Sequence, residues 1–469
     1  MDMKDQLEAA IAYKWEVTET GAKFWLREDA KWSDGVTVTA HDFVFAWRTV
    51  VNPENASKYA FLLFPIKNAR EVNEGKLPLT ELGVRALDDF TLEVDLPNPT
   101  PFFDKMVTFQ TYMPVREDFY HSTNGRYGAD AKDLLSTGPY ILTSWVHGAS
   151  LYMSRNPYYW NQERVHLDGI NVAYITSDAN AILNFFKDEK IAYTELGAEN
   201  LENALKQRWH INRVQDGVVF YAEFNHRDDR ITRNVNFRRA LQLVIDMDEL
   251  VYKVIKLPGY LPGESLFPVW LVGVDDRLRK EYPAPELRLN HELALEHLAK
   301  AKEELGLDEW PSITVLTGDT ATSSLQSEWM QGLLKTKLGL DVKIDKQIFK
   351  QRLEKMTAGD FDIVLGGWGP DYDDPMTFGD LFTSWNANNR GQYKNPELDR
   401  LIDVAQTSSD KRTRMDAFGG VQQILFDDVV ILPMYESGSS YVVHQDLKNV
   451  KRRVIGPEVD FTSAYIERP

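Results

Sequence analysis

From about residue 233 the chain alternates helical stripes with short apolar runs, and glycines punctuate the alternation. Phe237, Leu241, Val244, Ile245, Val251 and Val254 recur at helical spacing. Leu293, Leu298 and Ala301 form a second stripe that Gly306 should end. Residues 325–337 read as helix, Gly339 as its stop and 340–344 as a strand; 349–357 read as helix, Gly359 as stop and 361–365 as a buried strand. Two more helices follow, one with Pro396 in its first turn and one near 413–426, before an apolar strand at 429–435. Strands that alternate with helices in this way are those of a parallel sheet, because parallel neighbours need a crossover between them. The second half therefore predicts an α/β domain with parallel strands.

The first third reads differently. Phe24 and Leu26 alternate with Lys23 and Arg27, after a turn at Glu19-Thr20-Gly21. Phe90, Leu92, Val94 and Leu96 alternate with Thr91, Glu93 and Asp95, the pattern of a strand with one buried face. Asp88-Asp89 turns into it from a run at 84–87. Thr39 followed by Asp42 is a capping box with Asp in place of Glu, opening a helix with Phe43, Trp47 and Val50 on one face. Residues 140–145 and 151–154 make a hairpin around His147-Gly148. The whole is a mixed α/β chain of two or more lobes.

Composition removes several function classes. No cysteine is present, which excludes thiol nucleophiles, thiolate zinc sites and disulfides. With 53 basic against 71 acidic residues the net charge is −18, and no basic run is present, so no nucleic-acid partner is expected. No apolar stretch approaches the roughly 18 residues of a membrane span. The start, Met1-Asp2-Met3-Lys4-Asp5-Gln6, has no signal-peptide pattern, so the chain is expected either to be cytoplasmic or to have lost an export segment. An aromatic content of 12%, with 12 Trp, suits large cores and equally an aromatic-lined cleft.

Searches for catalytic patterns fail. There is no Gly-x-Ser-x-Gly elbow, no His-Glu-x-x-His and no phosphate loop; Gly366-Gly367-Trp368-Gly369 is followed by no lysine. The nine His are scattered, and His291 and His297 lie six apart, off a common helix face, so no metal and no cofactor is expected. Asp373-Asp374 reads as a solvated turn. The most informative stretch runs from Phe361 through Gly367-Trp368-Gly369-Pro370-Asp371-Tyr372 to Phe378. A buried strand ends there in glycines, where another backbone can approach closely. Ligands of open α/β sheets bind beyond the carboxyl ends of strands, which places Asp371 at the mouth of a pocket with Trp368 and Tyr372. A carboxylate there suits a cationic group such as a peptide amine. The same residues also fit a turn that caps the next helix.

Further motifs carry a resemblance. Leu26-Arg27-Glu28-Asp29-Ala30-Lys31-Trp32-Ser33-Asp34-Gly35, then Thr39-Ala40-His41-Asp42-Phe43-Val44, resembles the signature of the peptide- and nickel-binding proteins of ABC importers, family 5. The resemblance continues at Thr137-Gly138-Pro139-Tyr140, Arg155-Asn156-Pro157-Tyr158-Tyr159-Trp160, Phe237-Arg238-Arg239-Ala240-Leu241 and Tyr393-Lys394-Asn395-Pro396-Glu397-Leu398-Asp399. Gly367-Trp368 through Asp371-Tyr372 and Pro375 are most similar to the oligopeptide-binding branch.

That resemblance implies a two-lobed periplasmic-binding-protein-like fold, type II, of the large cluster with an extra β-rich domain. It implies a small β-rich domain over 1–135, a first lobe from 136–234 plus 441–469, and a second lobe over 235–440. It implies a non-enzymatic receptor, periplasmic or at the cell surface, that encloses an oligopeptide between lobes and delivers it to ABC permease subunits in the membrane. Asp371 would hold the peptide's N-terminal amine, with Trp368, Gly367, Gly369 and Tyr372 beside it, Tyr59 facing the ligand and Phe349 lining a side-chain pocket. Basic residues that hold the peptide carboxylate in some relatives are replaced here at Met356 and Leu365, and a histidine of that set at Ser323. The resemblance also implies roughly fifty further residues ahead of Glu16-Val17; without their strand one edge of the larger lobe should be unpaired, and an exposed edge invites association. Rival readings are a receptor for an oligosaccharide, a nickel chelate or a signalling peptide, and, from another class, a hydrolase with a converging carboxylate pair.

Overall fold

A computed structural model describes residues 7–176, 178–198 and 200–467; the six residues read for an export segment lie outside it. The alternation of the first third becomes a four-stranded antiparallel sheet. Its strands are β1 (Ala12–Val17), β2 (Gly21–Leu26), β3 (Val84–Asp88) and β4 (Thr91–Asp95), in the order β1-β2-β4-β3. Ala22, Phe24 and Leu26 of β2 and Leu92 and Val94 of β4 are all buried. The Asp-for-Glu capping box closes: the Thr39 N–H donates to the Asp42 carboxylate at 2.9 Å, and the Trp32 indole donates to it at 3.2 Å. The helix Ala40–Val51 that it starts lays Trp47, 1% exposed, into the core.

The hairpin forms as β5 (Tyr140–Val146) and β6 (Ser150–Arg155), with β7 (Gly169–Val172) beside β6. No residue of these three strands is buried, and Val146, Tyr152 and Val172 are well exposed. Both outer strands of this sheet, β5 and β7, pair on one side only among the described residues.

The large sheet has seven strands: β8 (Tyr193–Leu196), β9 (Asn212–Phe224), β10 (Leu261–Pro262), β11 (Ile313–Thr317), β12 (Val342–Lys346), β13 (Ile363–Trp368) and β14 (Ile431–Val443). The order is β10-β14-β9-β13-β11-β12, with β8 also on β14. β11 runs parallel to β12 and β13, joined by the crossover helices Ala321–Leu338 and Phe349–Ala358, each stopped by a glycine at positive φ (Gly339 at 67°, Gly359 at 74°). β9 lies antiparallel to both β13 and β14. The sheet is thus mixed rather than parallel, because β9 joins β13 from outside the helix–strand series and no crossover fixes its direction. The stripe over 237–254 is not one helix either. The helix Val235–Gln242 ends, and the Asp246 carboxylate caps a new turn by accepting the Glu249 N–H at 3.1 Å.

Along β9 the side chains alternate between two cores. Val219 and Tyr221 face one; Ala222 and Phe224 face the other, with Phe237, Val315 and Leu334. The first core is continuous from Phe24 and Trp47 of the four-stranded region to Tyr372, Phe378 and Phe418. A buried ion pair pins the segment beyond β13 to the helix Lys411–Asp427. The Arg414 guanidinium donates to both Asp374 oxygens, at 2.7 and 3.1 Å, and each side chain is 6% exposed. Asp374 is therefore no solvated turn residue.

Removing one partner of such a pair strands a buried charge. Asp374→Asn is expected to lower unfolding free energy by roughly 3–5 kcal/mol in urea titration. A loss below about 1 kcal/mol, the scale of a surface pair, would show that the pair is solvated in solution.

Candidate functional site: an isolated carboxylate beyond strand β13

β13 runs three residues further than its apolar run. Gly366, Gly367 and Trp368 pair with Tyr221, Phe220 and Val219 of β9. A Cβ on Gly367 would sit 2.9 Å from the Val219 carbonyl oxygen and 3.0 Å from Phe220 Cγ. That glycine is needed for close approach to β9, and the residue is itself exposed. Gly369 is half-buried, with a Cβ position in ordinary contact with Val218, 3.4 Å away. Trp368 packs on the first core, half-buried, and its indole Nε1 is buried with no hydrogen-bond partner among the described residues.

Past Trp368 the chain turns. The Asp371 N–H donates to Thr377 Oγ1 at 2.9 Å, which fixes the backbone and leaves the carboxylate to point elsewhere. Asp371 is 7% exposed, and no ion pair within 4 Å engages it among the described residues. Burial pushes its carboxyl up to about 7. Asp380 is 7% exposed and rises to about 8, through burial first and then the charge of Asp371. Two carboxylates thus share a dry region without a cation to balance either.

Tyr59 arrives from the first third of the chain. Its ring lies beside Phe61 and Phe109, with centroids 5.9 and 5.5 Å away. Burial, then the charge of Asp371, raises its hydroxyl to about 12, and Arg390 opposes that rise. Tyr59 thus senses both Asp371 and Arg390, although the three come from separate stretches. Local pattern could not have found Asp380 or Arg390: neither sits in a motif, and Arg390 lies in an irregular loop before the helix Pro396–Thr407.

Two expected site residues fall elsewhere. Tyr372 is 1% exposed and stacks on Phe102 at 6.0 Å and 9°, so its ring is core. Phe349 is 65% exposed at the start of the helix Phe349–Ala358, touching the Arg352 guanidinium 5.4 Å from its ring, and so lines no enclosed pocket. Met356 and Leu365 are both buried in apolar clusters. Ser323 is occupied in a helix cap, its Oγ 2.8 Å from Thr320 Oγ1. Among the described residues no group of three or more His, Cys, Asp or Glu could hold a metal ion.

The model of bacterial extracellular solute-binding proteins, family 5 middle region, matches residues 6–390. The chain belongs to this family. It is 30% identical to the oligopeptide-binding protein OppA of Bacillus subtilis, over 98% of this chain and 85% of that protein. Its structure is similar to the substrate-binding domain of an oligopeptide ABC transporter from Bacillus anthracis (TM-score 0.89, 32% identity, covering 98% of this chain and 90% of that one). It is equally similar to Listeria monocytogenes OppA bound to peptide (TM-score 0.89, 31% identity, 99% and 91% covered). The two-lobed fold of the family and its mixed helix and sheet content are therefore those of this chain. Among the described residues no helix is long and apolar enough to cross a membrane.

The raised Asp371 pKa sets a direction for stability against pH. Unfolded, an aspartate titrates near about 4; folded, Asp371 titrates at about 7. Between those values the folded state binds more protons, so stability falls as pH rises and the penalty is complete above 7. Asp371→Asn is expected to match wild type near pH 4 and to exceed it at pH 8 by up to roughly 4 kcal/mol. Equal denaturation midpoints for the two proteins at pH 8 would show that the ligand-free carboxylate is solvated.

Proposed function

We propose that this protein is the receptor of an ABC importer that captures oligopeptides outside the cytoplasmic membrane. The carrying observation is Asp371: a buried carboxylate with no ion-pair partner among the described residues, in a protein of this family. An unpaired buried charge is costly, and a ligand ammonium ion supplies the missing partner through a charge-assisted hydrogen bond. Peptides differ in sequence, but each unblocked one has an amine at one end. A receptor that grips that amine and pairs with main chain accepts many sequences, because water adapts where side chains differ.

The parts read from the sequence fit this use. Regions 136–234 with 441–469, and 235–440, would form the lobes, with 1–135 as the added domain. β14 crosses the boundary between 235–440 and 441–469, and β9 pairs with it, so both would carry the closing motion. Trp368 and Tyr59 would flank the amine, and Gly369 would leave the peptide backbone room. The loaded form would dock on permease subunits, at the periplasmic face or cell surface. We read the protein as a carrier and not a catalyst: bound peptides should be returned intact.

Native mass spectrometry of purified protein should show co-purified peptides. In calorimetry, Asp371→Asn is expected to weaken an unblocked peptide about a hundredfold, the equivalent of about 3 kcal/mol. N-acetylating the peptide should cost wild type as much and the variant little further. Additive losses would mean that Asp371 does not hold the amine.

A further inference from the structure

The four-stranded sheet loses its cover toward β1. Trp15, Phe24 and Leu92 form one row across β1, β2 and β4 by register. Burial falls along that row, from Leu92 (2% exposed) through Phe24 (6%) to a half-buried Trp15. Beside it a cavity of about 290 Å³ opens between the sheet, the helix Ala40–Val51 and residues 104–114. Trp15, Phe24, Leu26, Phe43, Trp47 and Leu92 line it, together with Met113, which is 47% exposed. None of the lining residues belongs to the Asp371 site.

Most polar atoms of this wall are engaged within the protein. The Trp47 indole donates to the Tyr112 carbonyl at 2.9 Å, the Tyr112 hydroxyl to the Leu62 carbonyl, and Thr108 Oγ1 to the Lys105 carbonyl at 2.7 Å. Two carboxylates remain. Glu8 is exposed, in a solvated pair with Arg164 at 3.6 Å. Asp104, in the short helix Phe103–Met106, is half-buried, and no ion pair within 4 Å engages it among the described residues. Burial pushes its carboxyl up, against the opposing pull of the Trp15 indole, of backbone N–H groups and of Lys105. No basic side chain lines the cavity among the described residues. Lys105 is turned to Asp373, whose carbonyl and carboxylate it reaches at 2.7 and 3.2 Å. Arg27 donates to the Ala10 carbonyl at 2.6 Å, with its guanidinium over the Trp160 ring.

We propose that this cavity is a second binding site, for a small amine with an aromatic or apolar body, whose ammonium group pairs with Asp104. Carbon-lined walls of this volume, at the small end for ligand pockets, take the body. The carboxylate takes the head through a charge-assisted hydrogen bond, and aromatic rings in the wall add to the preference for a cation. An anionic ligand would meet two carboxylates and no lining counterion, so the same walls select the sign of charge. The inference stands apart from the receptor reading, because it uses neither Asp371 nor the large sheet.

The probes are tryptamine and tryptophol, which share one ring and differ in carrying an amine or a hydroxyl. Asp371 also suits an amine, so the full chain is titrated by calorimetry as the Asp371→Asn protein, with and without Asp104→Asn. Tryptamine is expected to bind the Asp371→Asn protein about tenfold more tightly than tryptophol does. Adding Asp104→Asn should weaken tryptamine about tenfold and leave tryptophol within about twofold. Hydrogen exchange should show tryptamine protecting residues 12–26 and 103–114, and not 361–378. Thermal melts check that the variants fold; if the double variant does not, the amine-to-alcohol ratio and the exchange map decide. Equal affinities for the two probes overturn the inference. So does an amine preference that survives Asp104→Asn, or protection confined to 361–378. Binding of neither probe, the result if the chain's own first six residues occupy the cavity, overturns it too.

Discussion

The pairing of β9 with β14 is the constraint on which the rest of the molecule depends. Each strand is 13 residues long, and between them they contact β8, β10 and β13, so almost every part of the large sheet is registered against one of the two. The pairing is not regular. Its register shifts at Pro433/Tyr435 and again at Glu436/Gly438, opposite Asp216-Gly217 of β9, where Gly217 sits at φ +79°. Asp216 accepts a hydrogen bond from Ser437 Oγ at 2.6 Å and so holds the irregular stretch together. Gly438 allows the Gly259 carbonyl oxygen to lie 2.7 Å from where a Cβ would be. Bulges of this kind bend and twist a ladder without ending it. The two halves of each strand consequently belong to different packing environments while remaining one continuous hydrogen-bonded element.

The ladder also explains why the candidate site lies where it does. β13 is held in register by β9 as far as Trp368, and the Asp374–Arg414 pair anchors the chain again directly afterwards. Asp371 is thereby suspended between two fixed points. Its backbone N–H is satisfied, and its carboxylate is buried without an ion-pair partner among the described residues, which raises its pKa. Asp380 lies in the same region, and its carboxyl rises through burial and then the charge of Asp371.

Much of the local structure was legible in the sequence. Period-two runs at Phe24–Leu26 and Phe90–Leu96 became strands with the alternating residues buried; Thr39 and Asp42 became a closed cap; Gly306, Gly339 and Gly359 each ended a helix. These signals are carried by neighbours a few residues apart, where backbone geometry dictates spacing. Errors arose where the decisive partner was distant. The stripe from Phe237 to Val254 looked continuous because apolar spacing does not report Asp246 capping a new turn. That Gly367 has to be a glycine to lie against β9 was not legible, because the sequence does not show which strand pairs with it. Tyr372 looked like a cleft residue through adjacency to Asp371, because the sequence does not show Phe102 stacked on its ring.

What the sequence by itself determined was therefore the set of elements and the family they belong to. Those follow from local periodicity and from motifs whose residues are contiguous. Tertiary structure alone decided the mixed direction of the large sheet and the core shared between the first third of the chain and residues 372–431. It also decided that Asp371 would be buried without an ion-pair partner among the described residues. Charge balance is a property of space, summed over groups hundreds of residues apart in the chain, and Coulomb energy depends on separation and burial alone.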